Sequence, residues 1–442
     1  MISKKEEQLK KDIYKIVKEI FEIKKVENEE FVPGKTFIQY AGSVFDDKEV
    51  NNVIDSWLDG WFGLGKNAQN FEDRLAKYLK VKGSILTNSG SSSNLLALAS
   101  LMSPMFPDKL NAEDEVITIA CGFPTTVNPI VQLGLIPVFL DVDLGTYAIK
   151  TEDLELALSN KTRAIMIAHT MGNPHNLDFL IAFCKEKKLF LIEDNCDALG
   201  SEYKGRRTGS FGILSTQSFY PPHHLTTGEG GAVNYNDPLF ERITRSLRDW
   251  GRACWCRGDE KGRYGACGAR FNYKIDGKPY DHKYIFSQIG YNLKPIEPQA
   301  AMGVIQLKRL NDFTAKRRRN FARFSKHAKE NRWDRFFVLP KATAGSKPSW
   351  FAYPLTIKDN AKFSRLEITK YLEENQIQTR TLFGGNLTKQ PAYSNVNMRI
   401  VGNLENSDRI LHNTFFLGVY PKMDDRHIDY MADCINKFLK RF

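Results

Sequence analysis

Two short stretches of the sequence contain residues that could bind a phosphate and a protonated ring nitrogen. The stretch 88–94 (NSGSSSN) follows an apolar run and opens a helix, and its small residues Gly90, Ser91 and Ser92 would let a phosphate approach the helix-start amides. Asp194 ends the run LFLIED, where a carboxylate could keep a pyridine nitrogen protonated. A helix start without a ligand would explain the first pattern as well, and an Asp that caps a turn would explain the second.

An aromatic residue and a long loop add to this picture. Phe123 follows the run EVITIA, and its ring could stack on the face of a cofactor, although a place in the core is the alternative. The loop 218–231 (SFYPPHHLTTGEGG) lies between two predicted strands, and a bare connection explains so long, polar and glycine-rich a loop poorly. Together the four stretches indicate a nitrogen-containing aromatic cofactor that carries a phosphate.

The loop also resembles a known signature. The loop reads Ser-Phe, three residues, one reactive residue, four residues and then Gly-Glu-Gly-Gly. This pattern resembles the active site of the sugar aminotransferase/dehydrase family. Its members are aspartate aminotransferase-like pyridoxal-phosphate enzymes of fold type I. The resemblance runs from about Phe45 to the C-terminus. In that family the reactive residue is a lysine that forms a Schiff base with the cofactor, whereas here it is His223. Because imidazole does not form that bond, we expect non-covalently held pyridoxamine phosphate.

A histidine at this position is similar to the 3-dehydrases of deoxysugar synthesis. The resemblance implies that His223 is the base that moves a proton at the cofactor's C4′ and that Asp194 keeps the ring protonated. It assigns no role to His224, for which a structural or supporting place is favoured over that of a second base. It also implies a homodimer in which Asn292 reaches the phosphate of the neighbouring subunit. The expected cofactor contacts are Gly90, Ser91, Ser92, Phe123, Asp194, Ser218 and Asn292, and the expected substrate contacts are Tyr220, Lys294, Phe351 and Arg380.

Four of the seven cysteines form a candidate metal-ligand set. Between Cys196 and Cys254 lie 57 residues, one residue separates Cys254 from Cys256, and ten separate Cys256 from Cys267. Four thiolates suit a [2Fe–2S] cluster or a tetrahedral zinc ion. The spacing resembles the iron–sulfur branch of the 3-dehydrases, although the insertion GDEKGR lengthens the last gap. The other thiols, Cys121, Cys184 and Cys434, are expected to be buried.

The expected reaction is C3 dehydration of CDP-4-keto-6-deoxy-D-glucose in 3,6-dideoxysugar biosynthesis. A [2Fe–2S] cluster would then relay electrons from an NADH-dependent flavin or iron–sulfur reductase. Two alternatives stay open. One is a cluster-free enzyme similar to GDP-4-keto-6-deoxymannose 3-dehydratase, and the other is a non-catalytic regulatory protein that binds the cofactor or an iron–sulfur cluster.

The elements that must position these residues are predicted from the hydrophobic pattern. Seven β-rich runs between Ser84 and Tyr235 alternate with helical or polar sequence, which predicts an α/β domain with a mostly parallel seven-stranded sheet between helices. Ligands bind at the carboxyl ends of such strands, where the candidate residues stand. The expected domains are an amphipathic helix in 1–40, a cofactor-binding domain in 41–310 that includes the cysteines, and a small α/β domain in 311–442.

Composition excludes several classes of protein. A chain of 442 residues that is 42% hydrophobic is too long for a disulfide mini-protein and too apolar for a disordered tail. No apolar run approaches the roughly 20 residues of a membrane span. Free thiols without an N-terminal apolar signal favour a cytoplasmic protein. The net charge of +11 suits an anionic substrate. We expect no nucleic-acid partner, and we expect the basic run 316–319 (KRRR) to be a solvated helix face.

Overall fold

The computed structural model describes residues 4–28, 31–257 and 270–442, so that Cys267 and the GDEKGR insertion lie outside the described residues. The helices are α1 Lys4–Asn28, α2 Asp47–Leu58, α3 Lys66–Leu79, α4 Gly90–Leu101, α5 Pro124–Gln132, α6 Leu177–Lys187, α7 Leu239–Arg248, α8 Glu297–Glu330, α9 Arg365–Glu374, α10 Glu405–Asn413 and α11 Asp425–Leu439. The strands are β1 Gly83–Thr87, β2 Glu115–Ile119, β3 Ile136–Leu140, β4 Thr162–Ala168, β5 Phe190–Asp194, β6 Glu202–Tyr203, β7 Arg206–Arg207, β8 Leu214–Ser218, β9 Gly231–Tyr235, β10 Tyr273–Ile275, β11 Lys278–Tyr280, β12 Phe337–Val338, β13 Ser346–Lys347, β14 Ala352–Ile357, β15 Arg380–Thr381, β16 Arg399–Ile400 and β17 Thr414–Gly418.

An eight-stranded sheet forms the centre of the molecule, in the order β1-β9-β8-β5-β4-β2-β3-β16. Strand β9 is antiparallel to both of its neighbours, and the other pairs are parallel. The predicted α/β fold with a large, mostly parallel sheet is therefore confirmed, with all seven predicted strands present. The eighth strand, β16, has only two residues, too few to show a hydrophobic pattern.

The buried strands end in residues that begin the following helices at one edge of the sheet. Strand β1 is buried throughout, and Ser89 just beyond it caps α4. Phe123 occupies the cap position of α5, four residues past Ile119 at the end of β2. Asp194 is the last residue of β5. Because parallel strands end at the same edge, these residues come together there.

The long helix α8 connects this sheet to a smaller α/β unit. Its first half packs against α2 and α3, and its second half packs against α11. The smaller unit contains the antiparallel sheet β12-β14-β17-β15. Its core is rich in aromatic rings, and Phe321 of α8 stacks on Trp350 with ring centroids 3.9 Å apart.

The N-terminal amphipathic helix is present as α1. The Tyr14 hydroxyl binds the carboxylate of Asp55 in α2, which joins the helix to the rest of the chain. Its apolar residues Leu9, Ile16, Ile20 and Ile23 are at least 44% exposed. In the part of the chain that the structure describes, no helix combines the length and the apolar character that crossing a bilayer requires.

The cysteines outside the candidate metal set are buried, as expected. Burial raises the pKa of the Cys184 thiol to about 12, and it raises the pKa of Cys121 further. These thiols are therefore protonated and unreactive at neutral pH.

Candidate active site

A cavity of about 750 Å³ opens at the carboxyl edge of the sheet. Most of the residues predicted for the cofactor and the substrate line it, namely Gly90, Ser91, Phe123, Asp194, Ser218, Tyr220, His223, Phe351 and Arg380. Ser92, Asn292 and Lys294 are not part of its wall. Among the described residues that form the wall there is no lysine. A pocket of this size accommodates a cofactor and part of a substrate.

The start of α4 forms a cradle for an anion. The Ser89 hydroxyl accepts a hydrogen bond from the Ser92 amide at 3.1 Å, which caps the helix. The backbone amides that precede Ser92 lie at the positive end of the helix dipole. The buried side-chain oxygen of Asn88, also in the wall, has no hydrogen-bond partner among the described residues. A phosphate group fits this end of the cavity.

Gly90 keeps this cradle open, because a Cβ atom there would lie 2.4 Å from the Cβ of Ser218 and 3.1 Å from its backbone Cα. We therefore expect Gly90→Ala to displace Ser218 and to weaken pyridoxal-phosphate binding roughly tenfold. Equilibrium dialysis of the purified protein measures this change. Gly63→Ala is the matched control, since a Cβ there meets no atom closer than 3.8 Å. Unchanged affinity in Gly90→Ala would remove the phosphate from this end of the cavity.

Asp194 is held rigidly at the base of the cavity. Its Oδ2 accepts hydrogen bonds from the Asn94 amide group at 2.8 Å and the Thr126 hydroxyl at 2.7 Å. Its Oδ1 accepts one from the Cys196 amide at 3.1 Å. The Thr216 hydroxyl is 3.5 Å from Oδ1 but makes a shorter bond, 2.6 Å, to the Asn94 side-chain oxygen, so Oδ1 keeps a position that can accept a ring N–H. The buried carboxylate is oriented before any ligand arrives.

His223 lies in the loop between β8 and β9. Hydrogen bonds from side chains of other elements hold the backbone of this loop in place. The Arg317 guanidinium of α8 donates hydrogen bonds to the carbonyls of His223 at 3.0 Å and Phe351 at 3.1 Å. The His224 ring binds the Ser349 carbonyl at 2.6 Å and takes no part in the cavity wall. The His223 Nδ1 has no hydrogen-bond partner among the described residues. The Arg317 clamp thus holds the loop through backbone carbonyls and not through the His223 ring.

Asp197 lies beside this histidine, with its Oδ1 3.9 Å from the His223 Nε2. Burial, reinforced by the Arg317 charge, lowers the pKa of His223 to about 4. Burial, reinforced by the Asp194 carboxylate, raises the pKa of Asp197 to about 8. Both groups are therefore neutral at pH 6 to 7, and the imidazole is in the form that accepts a proton.

The raised pKa of Asp197 has a consequence for stability. Between its ordinary pKa of 3.8 and about 8, the folded protein keeps a proton that the unfolded chain releases, so this group lowers stability as pH rises. The variant Asp197→Asn should therefore gain stability over the native protein by about 2 to 3 kcal/mol between pH 5 and pH 7. Urea unfolding of the cofactor-free proteins measures the difference. Exposed Asp433→Asn is the matched control. A pH-independent difference in Asp197→Asn would mean that Asp197 is ionised.

Two residues of the site were missed by the sequence analysis. Asp197 carries a weak signal, since it is a second carboxylate three residues after Asp194 at the end of β5. Arg317 was expected in a solvated basic run, but it is only 1% exposed, so that expectation was wrong for this residue. Phe313 and Phe321, four residues to either side, are buried on the same face of α8, and this spacing could have identified it.

Aromatic rings form the mouth of the cavity. The Phe123 ring meets Phe383 edge to face at 5.7 Å between centroids. The His223 ring is in edge contact with Tyr220 and Phe351 at 5.9 and 5.7 Å. Arg380 lies over the Tyr40 ring at 4.8 Å, and it is the single cation in the wall that the described residues form. Flat rings and one guanidinium suit a ligand with a ring and a diphosphate.

Asn292 and Lys294 lie just outside the wall. The Lys294 ammonium is 2.7 Å from the Asn292 side-chain oxygen and 3.3 Å from the Trp250 ring centroid. Burial lowers the pKa of Lys294 to about 8. The intervening Leu293 carbonyl accepts a hydrogen bond from the Asn88 amide at 2.8 Å, which attaches this segment to the back of the phosphate cradle.

The candidate metal ligands fall into separate places. Cys196 belongs to the cavity wall, where burial and the Asp194 carboxylate raise the pKa of its thiol. Cys254 and Cys256 lie together with His282, their ligand atoms all within 4.8 Å of one another. Cys196 is not a member of that group. Among the described residues, Cys254 and Cys256 thus lie close together without Cys196, and Cys267 lies outside the described residues.

The chain is similar to a known family and to proteins of known function. The model of the DegT/DnrJ/EryC1/StrS aminotransferase family matches residues 44–436. A dTDP-4-dehydro-2,6-dideoxy-D-glucose 3-dehydratase of Saccharopolyspora spinosa is 46% identical over 94% of this chain and 89% of its own length. The lipopolysaccharide biosynthesis protein RfbH of Salmonella typhimurium is 45% identical over 92% of this chain and 93% of its own.

A solved structure agrees with these sequence relatives. The Escherichia coli GDP-4-keto-6-deoxy-D-mannose-3-dehydratase with bound hydrated PLP superposes with a TM-score of 0.80 and 27% identity. The match covers 90% of this chain and all of that one.

Proposed function

This chain belongs to the DegT/DnrJ/EryC1/StrS aminotransferase family, and we propose that it is a dehydratase that removes the C3 hydroxyl of a nucleotide-linked 4-keto-6-deoxy sugar. The cofactor in this proposal is pyridoxamine phosphate, held without a covalent bond. Relatives that are named as 3-dehydratases support the dehydratase assignment. The relative with bound hydrated PLP supports the cofactor class.

One observation carries the proposal, namely that a neutral imidazole occupies the cavity and that no lysine is found in its described wall. A lysine would hold the cofactor covalently and support amino transfer. Imidazole accepts and returns a proton but forms no such bond. His223 with a lowered pKa therefore favours proton transfer over transamination.

Each residue of the site has a separate role in the proposed reaction. The cofactor, when bound, supplies a protonated pyridine ring that accepts the electron pair released at its C4′ atom. Asp194 holds the proton on the ring nitrogen, and Ser89, Gly90 and Ser218 receive the phosphate. His223 would take the proton from C4′ and pass it to the departing C3 hydroxide, which leaves as water. Because Asp197 beside it is neutral, no ion pair with Asp197 would keep the imidazole protonated.

For the substrate we propose CDP-4-keto-6-deoxy-D-glucose. Arg380 would receive the diphosphate, and Tyr220 and Phe351 would border the sugar. Asn292 and Lys294 lie outside the wall of the cavity in their own chain. We propose that in a homodimer they contact the phosphate and the substrate bound in the cavity of the second copy. The Arg380 guanidinium is compatible with any nucleoside diphosphate, so the nucleobase of the substrate is the least constrained part of this proposal.

Reduction to a 3-deoxy sugar needs two electrons, and we propose an NADH-dependent flavin or iron–sulfur reductase as their source. Such a partner is consistent with a cytoplasmic enzyme. A [2Fe–2S] relay is supported by the proximity of Cys254 and Cys256, whereas the position of Cys196 in the cavity does not support its membership. The alternative is a cluster-free enzyme, which the likeness to the GDP-4-keto-6-deoxy-D-mannose-3-dehydratase supports.

The test is incubation of the cofactor-loaded protein with CDP-, dTDP- and GDP-linked 4-keto-6-deoxy sugars. Mass spectrometry follows loss of the C3 oxygen, with and without a reductase and NADH. We expect dehydration of the CDP sugar and no amino-sugar product when glutamate is added. An amino sugar formed from glutamate would overturn the dehydratase proposal, and preferred turnover of another nucleotide would overturn the CDP assignment.

A further inference from the structure

Tyr40 in the cavity wall comes from a part of the chain that the family model does not match. It lines the cavity, whereas the match begins at residue 44. Backbone pairing with the smaller α/β unit places it there. The Ile38 amide donates a hydrogen bond to the Gln376 carbonyl at 2.8 Å, and the Gln378 amide donates one to the Ile38 carbonyl at 2.9 Å. A segment outside the family match therefore forms part of the site.

Several contacts fix the position of Tyr40. Its amide donates a hydrogen bond to the Gln378 side-chain oxygen at 3.2 Å. Its ring meets Phe416 of β17 edge to face, with centroids 5.8 Å apart. Gly418 at the end of β17 lets the Tyr40 carbonyl come close, because a Cβ atom there would clash with that oxygen. These contacts hold the phenol ring at the cavity before any ligand arrives.

The ring also supports the cation of the wall. The central guanidinium carbon of Arg380 lies over the Tyr40 ring, 4.8 Å from its centroid, and one guanidinium nitrogen donates a hydrogen bond to the Thr379 carbonyl at 2.8 Å. Within the described part of the chain, these contacts are with a ring and a carbonyl and not with a carboxylate. Since a guanidinium has five N–H donors, most of them remain available to an anion.

The Tyr40 hydroxyl stays neutral beside this cation. Burial raises the pKa of the Tyr40 hydroxyl, against the opposing effect of the Arg380 charge, and the neighbouring Tyr220 phenol adds to the rise. A neutral ring attracts a guanidinium through its quadrupole and leaves the positive charge in place. A carboxylate in the same position would hold the guanidinium but would also offset the charge that a diphosphate needs.

We propose that Tyr40 is a positioning residue for the substrate, whose ring holds the Arg380 guanidinium in the orientation that receives a diphosphate. The inference rests on the proposed function, from which it takes the role of Arg380. It deepens that function, because it states how the cation of the site is oriented. It also assigns to the substrate site a residue that precedes the family match.

The test measures the binding of CDP and of inorganic diphosphate by isothermal titration calorimetry. The protein is loaded with pyridoxamine phosphate, so that the cofactor's own phosphate site is filled. Tyr40→Leu fills a similar space without an aromatic face, and we expect it to bind both probes roughly fivefold more weakly than the native protein. Tyr40→Phe keeps the ring and should bind them within about twofold of the native affinity. Unchanged affinity in Tyr40→Leu, an equal loss in Tyr40→Phe, or a native protein that binds neither probe would overturn the proposal.

A double-mutant cycle tests whether Tyr40 acts through Arg380. Arg380→Gln removes the charge and should weaken CDP binding roughly tenfold or more. In this background Tyr40→Leu should have no further effect, because no guanidinium remains to be oriented. Additive losses would mean that Tyr40 contacts the ligand itself, which would contradict the assignment. Tyr371→Leu is the matched control and should bind CDP as the native protein does, since the Arg441 guanidinium lies over that ring at 4.5 Å outside the cavity wall.

Failure of this inference is distinguishable from failure of the proposed function, because CDP binding requires no turnover. Dehydration by the native protein, together with unchanged CDP affinity in Tyr40→Leu, would count against the role of Tyr40 alone. The expected loss of CDP affinity in Tyr40→Leu, together with no dehydration by the native protein, would count against the proposed function alone.

Discussion

Replacement of His223 by asparagine is expected to lower the rate of C3 dehydration about 10³-fold while the cofactor stays bound. Asparagine keeps a polar group of similar reach but accepts no proton from carbon. The fold of the loop should persist, because Arg317 and His224 hold it through backbone carbonyls. Cofactor affinity should also persist, since other residues, at the start of α4, form the phosphate cradle.

The direct measurement is exchange of solvent deuterium into the C4′ position of bound pyridoxamine phosphate. Exchange should be lost in His223→Asn and normal in the exposed control His412→Asn. The companion variant His223→Lys should attach pyridoxal phosphate covalently, seen as an absorption band that survives dialysis and is removed by borohydride. Normal exchange in His223→Asn would assign the base to another residue.

The acid limb of the pH profile provides a separate check on this base. Because its pKa is lowered to about 4, His223 should be active down to nearly that pH, well below the ordinary value of 6.5. Dehydration should then fall as pH drops through 4. An acid limb near 6.5 would mean that the histidine is solvated or paired with an ionised Asp197 in the working enzyme.

The candidate site could be predicted where it depends on strands. Asp194 and Phe123 follow continuous apolar runs, and anything directly after such a run reaches the same edge of a parallel sheet. Ser92 shows the limit of this reasoning, because one more residue into α4 turns its side chain toward Ser89 and away from the cavity wall. The identity of the base came from the spacing of a loop signature, which the hydrophobic pattern does not contain.

Features that depend on loop pairing could not be predicted. His282 meets Cys254 only because two irregular stretches pair through backbone hydrogen bonds, which have no side-chain pattern. Arg317 is buried because carbonyls of the β8–β9 loop replace its water, and a basic run in a sequence gives no sign of such partners. The short strand β16 likewise depends on a neighbour, β3, that offers it an open edge.

Replacement of Asp194 by asparagine is the second change with a large expected effect, a loss of about 10²- to 10³-fold in dehydration. The neutral amide cannot keep the ring nitrogen protonated, so the ring loses its capacity to accept electrons. An amide also presents an N–H group to the donors on Asn94 and Thr126, which should lower the thermal stability of the variant.

A cofactor analogue separates the electronic role of Asp194 from this structural cost. N-methylated pyridoxamine phosphate carries a permanent positive charge and needs no proton from the protein. It should restore a large part of the activity of Asp194→Asn and should not rescue His223→Asn, because the base is still missing there. Equal failure of the analogue in both variants, with the analogue shown to be bound, would mean that Asp194 acts by holding Asn94 and Thr126 in place and not by charge.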